Sequence, residues 1–291
     1  MLFHILRSMR PRHWIKNAFV FPALVFSGHL FEPDYAIRCL GAAGCFCLLS
    51  SAIYLFNDLF DAERDRLHPE KSERPIASGR LPAPIAAAAG AMLLALGLVG
   101  AFFAHPHFGN VGLAYVVLNL AYSFKLKQVV IVDVLIVALG YLLRAMGGGM
   151  VLEVTISTWF ILCSFMLALF LAVIKRRQEL VGLEEGAVAH RIILKEYSVS
   201  FLDQVVSVLT SATLVCYALY AMGVGESGAA YAHRMQWTIP FVLYGFLRYL
   251  YLVYQKGSGD NPTAVVWKDR PLQINLVLWM AVSTMGIYVL P

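Results

Sequence analysis

Nine apolar runs, separated by short stretches that gather the charge, dominate this 291-residue chain. They lie near residues 15–31, 35–57, 84–104, 109–124, 129–150, 156–174, 200–222, 237–255 and 271–290. A helix needs about 20 mostly apolar residues to cross a hydrocarbon core, and most of these runs approach that length. A soluble domain carries about a quarter of its residues as Asp, Glu, Lys and Arg. Here the share is 14%, against 59% hydrophobic residues. The expected architecture is an all-α membrane protein of about nine transmembrane helices, forming one polytopic domain over residues 1–291. Pro84 and Pro271 sit where proline is tolerated, at a helix start. His105-Pro106-His107 and Gly257-Ser258-Gly259 punctuate connections. The basic N-terminus is not followed by a small-residue cleavage site, so the first run is expected to remain as a membrane helix. All five cysteines (Cys39, Cys45, Cys47, Cys163 and Cys216) fall inside apolar runs at no metal-ligand spacing, which marks them as packing residues.

The charge is distributed with a strong bias. Arg7, Arg10, Arg12 and Lys16 precede or open the first run, and Arg64, Arg66, Lys71, Arg74 and Arg80 follow the second. Lys125 and Lys127 follow the fourth, and Lys175, Arg176, Arg177, Arg191 and Lys195 the sixth; Lys256, Lys268 and Arg270 follow the eighth. Nineteen of the 23 basic residues therefore fall on alternate connections, while the other side has Arg234 alone. The positive-inside tendency then places the N-terminus in the cytoplasm and, with nine crossings, the C-terminus outside. The net charge of +5 is a membrane-orientation signal rather than the patch of a nucleic-acid binder.

Chemistry concentrates in two of these cytoplasmic loops, about 57–83 and 175–199. In the first, Asn57, Asp61 and Asp65 recur every four residues and Asp58 lies three before Asp61. If the second helix continues through them, one face presents four oxygen-bearing side chains. Hard oxygen ligands of this kind suit Mg²⁺ shared with substrate phosphates, and the negative end of a helix dipole favours a cation there. Lys71 and Arg74 follow closely enough to hold phosphate oxygens, and Tyr54 stands one turn before Asp58. The plainer reading is a solvated, charge-mixed loop with surface ion pairs. The second loop opens with Lys175-Arg176-Arg177-Gln178-Glu179, where positive-inside anchoring and an intrahelical pair compete with a functional role.

An ionisable residue within a span costs about 2.5–3.5 kcal/mol on insertion scales and calls for a reason. Asp133 lies near a helix start and can reach the interface. Arg144 is either an interior ligand for an anion or an outer-leaflet snorkeler, and Arg248 and Asp203 are similarly open. Gly147-Gly148-Gly149 is a candidate helix break of the kind an ion-coupled transporter would use.

With these residues in view, the chain resembles the UbiA superfamily of intramembrane prenyltransferases. Asn57-Asp58-x-x-Asp61-x-x-x-Asp65 is similar to that family's first aspartate motif. The second motif departs from the usual two acids four residues apart, since Lys175 precedes Glu179. That departure, with Arg10-Pro-x-x-Trp14-x-Lys16-Asn17, His68-Pro69-x-Lys71-x-x-Arg74-Pro75 and Tyr122-Ser123-Phe124, resembles one branch of the superfamily. The resemblance implies a bacterial inner-membrane enzyme with a cytoplasm-facing site. Its reaction would move the 5-phosphoribosyl group of 5-phosphoribosyl 1-diphosphate onto a polyprenyl (decaprenyl) phosphate, releasing diphosphate, for a cell-envelope glycan precursor. It further implies Mg²⁺ on Asn57 and Asp61, with Asp58, Asp61 and Asp65 as the catalytic acids. Lys16, Tyr54, Lys71 and Arg74 would hold the donor phosphates. Tyr122, Lys125, Lys127 and Arg144 would serve substrate binding toward the lipid phosphate, and Lys175, Arg176 and Glu179 would close the site. The competing readings are a polyprenyltransferase with an aromatic acceptor such as 4-hydroxybenzoate and, more remotely, an ion-coupled transporter.

Overall fold

The computed structural model describes residues 1–69, 71–184, 192–224, 232–256, 265–266 and 268–289. Glu70, Arg191, the Gly257-Ser258-Gly259 stretch and the last residue of the ninth expected run lie outside the described residues. Every regular element among those residues is helical. In lipid this is the expected outcome, because each apolar segment has to satisfy its own backbone N–H and C=O groups. The chain divides into two compact units, 1–126 with 140–155, and 127–139 with 156–291.

The first unit opens with α1 (Leu2–Met9), a 3₁₀ helix (Pro11–Val20) and α2 (Pro22–Phe26). The long α3 (Pro33–Phe60) and the one-turn α4 (Ala62–Arg66) follow, then α5 (Ala83–Ala104), α6 (Pro106–Phe124) and the greater part of α7 (Val132–Leu152). The second unit holds the start of α7, α8 (Thr158–Glu184), α9 (Val199–Ala221), α10 (Ala232–Met235), α11 (Ile239–Gln255) and α12 (Arg270–Thr284). A π-helical turn (Met285–Val289) prolongs α12. Among the described residues six helices are long and apolar enough to cross a membrane: α3, α5, α7, α8, α9 and α12 with its π turn. α6 has 19 residues and α11 only 17. The first expected span is not one long helix; over 15–31 the chain forms the end of the 3₁₀ helix, then five residues of α2.

Prolines stand at the first turns of α3, α5, α6, α11 and α12, where the missing N–H has no intrahelical partner to lose. Side-chain caps fix three starts. Ser198 Oγ accepts from the Phe201 N–H at 3.2 Å, Asp269 Oδ1 from Leu272 at 2.9 Å, and His105 Nδ1 from His107 at 3.2 Å.

The packing of α5 shows why lipid is the natural solvent. Its buried stripe is mostly small (Ala86, Ala89, Gly90, Gly97 and Ala101, with Leu93), and this face packs on α3. Its exposed stripe is large and apolar: Met92, Leu96, Val99 and Phe103. Water would favour the reverse arrangement. In a membrane the small residues let backbones approach while the large ones meet acyl chains. The core of the second unit is built more from bulk, with Phe170 against Phe246 at 5.0 Å between ring centroids and Leu202, Val206 and Val253 around them.

Gly147-Gly148-Gly149, the candidate break, is continuous helix within α7. The glycines serve close approach. A Cβ at Gly148 would lie 2.2 Å from the Val20 carbonyl oxygen, and one at Gly147 would meet Phe46 at 2.8 Å. Gly148→Ala should therefore destabilise the first unit by about 1–3 kcal/mol, the usual cost of overpacking, because a backbone atom cannot rotate away. Gly182→Ala is the control: nothing lies within 4 Å of its Cβ on α8, and alanine gains about 1 kcal/mol of helix propensity. Thermal unfolding in one detergent should show the first variant melting lower and the second unchanged or higher.

Candidate functional site

The inner face of α3 carries a polar stripe along the part of the helix after Arg38, which is otherwise apolar. Cys47, Ser50, Ser51, Tyr54 and Asp58 recur at three- and four-residue spacing, and Asn57 and Asp61 continue it. The segment that covers this stripe is the N-terminal 3₁₀ helix with the residue before it. Arg10 Nη2 donates to Asp58 Oδ1 at 2.5 Å, and His13 Nδ1 shares a hydrogen bond with the Tyr54 hydroxyl at 3.3 Å. Trp14 Nε1 donates to Ser51 Oγ at 3.0 Å, and Asn17 Nδ2 to Cys47 Sγ at 3.1 Å and Ser50 Oγ at 3.5 Å. The contacts run antiparallel and stay in register. Seven residues at about 2.0 Å rise cover about 14 Å, the same length as eight to eleven residues of α-helix at about 1.5 Å. Side chains three apart eclipse in a 3₁₀ helix, so a three-residue period on the strap meets the three- and four-residue period on α3. This explains why the first apolar run does not form an ordinary span. Pro11 starts the 3₁₀ helix, and Arg10 before it takes the left-handed φ of 54° that turns the chain out of α1.

At the end of the stripe, α3 stops at Phe60 and α4 starts after Asp61. The backbone bonds from Asp61 N to Asn57 O (3.0 Å) and from Asp65 N to Asp61 O (2.8 Å) nevertheless preserve the four-residue step. Asp58 and Asp65 are both buried, at 2% and 4% exposure. Arg74, returning from the loop, donates from one nitrogen to both: Nη1 lies 3.0 Å from Asp58 Oδ1 and 2.7 Å from Asp65 Oδ2. With Arg10 this makes a quartet of two guanidinium groups and two carboxylates. Arg66 Nε donates to the Ala77 carbonyl at 3.2 Å and folds the loop back on itself. The Nε and Nη2 atoms of Arg74 make no hydrogen bond to the described residues, and its side chain stays 26% exposed.

Asn57 and Asp61 are half-buried at the helix end, and Tyr54, Lys16 and Lys71 are half-buried too. Among the described residues no three His, Cys, Asp or Glu side chains gather as a metal cage. That donor set fits Mg²⁺, which typically takes one or two protein carboxylates and completes its shell with water and substrate phosphate. An all-protein cage would suit calcium or zinc better. Further along the first unit, Tyr122 is half-buried and Lys125 exposed at the end of α6. Arg144 is buried, bonded to Asn17, Gly140 and Tyr115, which answers the choice between interior residue and snorkeler in favour of the interior.

The remaining sequence-predicted residues belong to the second unit. Lys127 is half-buried and Lys175 exposed. Arg176 is buried and donates from Nε to Asp133 Oδ2 at 2.7 Å and from Nη1 to Glu179 Oε2 at 2.8 Å. Asp133 is wholly buried within the protein, and its other oxygen accepts from the Tyr197 hydroxyl at 2.8 Å. The Tyr197 oxygen in turn accepts from the Ile131 N–H at 2.7 Å, pinning a β-branched residue at a φ of 68° that it would rarely adopt. Burial, with the Asp133 carboxylate adding to it, pushes the Tyr197 phenol up to about 12, so it remains a donor. Asp203 is held by Arg177 at 2.5 Å and Tyr254 at 2.9 Å, and Arg248 grips Asp269 with two nitrogens.

Sequence reasoning missed Arg10, His13, Trp14, Asn17, Tyr115 and Asp133 as members of these networks. The signal for the first four was the three-residue step from Arg10 to His13 and again from Trp14 to Asn17, around Pro11 and opposite the polar stripe of α3.

The UbiA prenyltransferase family model matches residues 18–286. The decaprenyl-phosphate phosphoribosyltransferase of Mycolicibacterium smegmatis is 35% identical over 98% of this chain and 92% of its own length. Its counterpart from Corynebacterium glutamicum is 33% identical over 99% of this chain and 87% of its own length. In three dimensions the chain is similar to a UbiA homolog from Archaeoglobus fulgidus solved with DMAPP and Mg²⁺, with a TM-score of 0.71. That alignment is 19% identical and covers 98% of this chain and 99% of the other.

The quartet yields a direct expectation. Arg74→Met leaves Asp65 buried without its cation and should destabilise the protein by about 3–5 kcal/mol, the cost of breaking a buried pair from one side. Adding Asp65→Leu removes the stranded charge and should restore much of that loss. A double-mutant cycle on unfolding in detergent measures the coupling; additive losses would show that the two side chains do not interact.

Proposed function

The chain belongs to the UbiA prenyltransferase family, and on that premise we propose that it is a membrane phosphoribosyltransferase. It moves the 5-phosphoribosyl group of 5-phosphoribosyl 1-diphosphate onto a polyprenyl phosphate and releases diphosphate. The observation that carries this reading is the identity, over nearly the whole chain, to proteins named for that activity. The departure at Lys175 supports it, because a cation where relatives of the wider family keep an acid suits a donor with an additional phosphate.

Asn57 and Asp61 are the residues we assign to Mg²⁺. When bound, the metal neutralises the leaving diphosphate. Asp58 and Asp65 act through the protein: they hold Arg10 and Arg74 at the mouth of the site, where the Nε and Nη2 of Arg74 point-charge and hydrogen-bond phosphate oxygens. Lys16, Lys71 and Tyr54, all half-buried, are the remaining residues we assign to the donor phosphates. The ribose ring oxygen stabilises the charge that develops at the anomeric carbon as diphosphate departs. The incoming polyprenyl phosphate is already an anion, so the site requires no strong general base, and catalysis rests on position and charge.

For topology, the six long helices together with α6, α11 and the strap with α2 support nine crossings, with the N-terminus and the 57–83 loop cytoplasmic. Ser78 is exposed in that loop, so a membrane-impermeant thiol reagent should label Ser78→Cys from the cytoplasmic side only. Labelling from the outside would reverse the assignment.

The activity test is reconstitution in lipid with labelled 5-phosphoribosyl 1-diphosphate, polyprenyl phosphate and Mg²⁺. Label should pass to the lipid phase. Prenylation of 4-hydroxybenzoate from a polyprenyl diphosphate, with no transfer of ribose, would replace this reading by the aromatic-acceptor one. Asp61→Asn should retain the fold, because the residue stands at a hydrated helix end, and lose transfer by about 100-fold or more, equivalent to about 2.7 kcal/mol. Turnover close to wild type at ordinary Mg²⁺ would remove Asp61 from the metal's ligands.

A further inference from the structure

A carboxylate and three aliphatic hydroxyls line a cavity of the second unit that the transfer chemistry leaves unused. The cavity measures about 380 Å³, and its walls include Asp203, Ser207, Thr210 and Ser211 of α9 and Leu250 and Tyr254 of α11. That is the low end of the range for sites that take a small ligand. Helix α9 is long and apolar enough to span a bilayer. The cavity lies on its outer wall, since Ser207 and Ser211 are exposed, as are Val208 and Val215 on α9 and Leu243 and Leu247 on α11. In a membrane these apolar side chains meet acyl chains, which surrounds a polar cavity with lipid.

The polar groups follow an order along α9. Asp203 lies about one turn from the helix start, at the end nearer the 175–199 loop, and Ser207, Thr210 and Ser211 follow one to two turns further on. Arg177 Nε donates to Asp203 Oδ1 at 2.5 Å, and the Tyr254 hydroxyl donates to the same oxygen at 2.9 Å. The Arg177 Cζ sits 4.2 Å from the Tyr254 ring centroid. Both bonds fall on Oδ1. Oδ2 accepts none from the described residues, and the Asp203 side chain is 36% exposed. The hydroxyls already donate to their own helix: Ser207 to the Asp203 carbonyl at 3.0 Å, Thr210 to Val206 at 2.8 Å and Ser211 to Ser207 at 3.0 Å. Bonded in this way they face a ligand as acceptors. An acceptor-rich cavity with a carboxylate oxygen on a spanning helix calls for a donor, because lipid tails supply none. The Arg177–Asp203 pair is neutral as a unit, so the group that completes it brings donors without adding net charge.

We propose that this cavity binds the headgroup of a zwitterionic phospholipid with a primary ammonium, of the phosphatidylethanolamine type. The ammonium brings three N–H donors to Asp203 Oδ2 and the hydroxyl oxygens, and the phosphate of the same head balances its charge beside Arg177. A trimethylammonium head has the same charge and no N–H to donate. A head with net negative charge leaves the acceptors unmet and is repelled by the carboxylate.

The test counts lipid on the full-length protein. Native mass spectrometry of delipidated protein in detergent is titrated with dioleoyl phosphatidylethanolamine, phosphatidylcholine and phosphatidylglycerol. Wild type should retain the ethanolamine lipid at least fivefold more tightly than either of the others. Asp203→Asn should reduce that preference to about onefold. Asp203→Asn also frees Arg177, so Ser207→Leu serves as a second variant: it fills the cavity, keeps the ion pair and should lose the bound lipid at an unchanged melting temperature. Val208→Leu, exposed beside the cavity but not lining it, should behave as wild type. Equal affinity for the three lipids, a preference for phosphatidylglycerol, or a preference intact in both Asp203→Asn and Ser207→Leu would overturn the site. A wild-type dimer that Ser207→Leu dissociates would overturn it as well, making this face a contact between copies of the chain.

Discussion

A polar group inside a membrane protein has to find its partner within the protein, because lipid supplies none. The first unit is organised around that constraint. Helix α3 brings a column of hydroxyls, a thiol, a phenol and carboxylates into an apolar surrounding, and the N-terminal strap exists in its 3₁₀ form to meet them one by one. An α-helical strap would rise too little per residue to hold four successive contacts in step. The glycine face of α7 follows from the same requirement. The strap carbonyl at Val20 lies so close to Gly148 that no side chain fits between them.

Charge is treated differently at the two ends of the stripe. Near the loop, the acids are matched by Arg10 and Arg74 into a locally neutral quartet that fixes the turn between α3 and α5. The helix end beside this quartet carries Asn57 and Asp61, the residues we assign to Mg²⁺, and the helix dipole favours a cation there. Deeper along the stripe, Arg144 has dipoles for neighbours and no acid among the described residues. The acids of the first motif are thus of two kinds. Asp58 and Asp65 build the frame, and Asp61 is the one we assign to the metal.

The second unit shows a related economy in Arg176. Its two acids come from different places in the chain, Asp133 at the start of α7 and Glu179 one turn further on α8. Tyr197 joins the same carboxylate from the far side of the loop and holds the strained Ile131 backbone. A residue that reads in sequence as one of three anchoring cations is, in the fold, the junction of three segments. Its neighbour Arg177 packs over Tyr254 instead, and Lys175, the residue before Arg176 on α8, is exposed.

The sequence by itself determined the all-helical membrane architecture, the clustering of basic residues at alternate helix ends and the four-residue step of Asn57, Asp61 and Asp65. These are local or compositional properties: apolar run length sets a membrane helix, and backbone periodicity sets a common face. It also carried the resemblance to the family, through motifs that are contiguous in the chain. Only the tertiary structure decided which acids meet which cations. Arg10 finds Asp58 across 48 residues, Arg176 finds Asp133 across 43, and Arg144 reaches Asn17 across 127. The conversion of the first apolar run into a 3₁₀ strap belongs to the same class. No local propensity requires it; the partners that select it lie on α3, and a chain segment in lipid takes the backbone form that leaves the fewest polar groups unpaired.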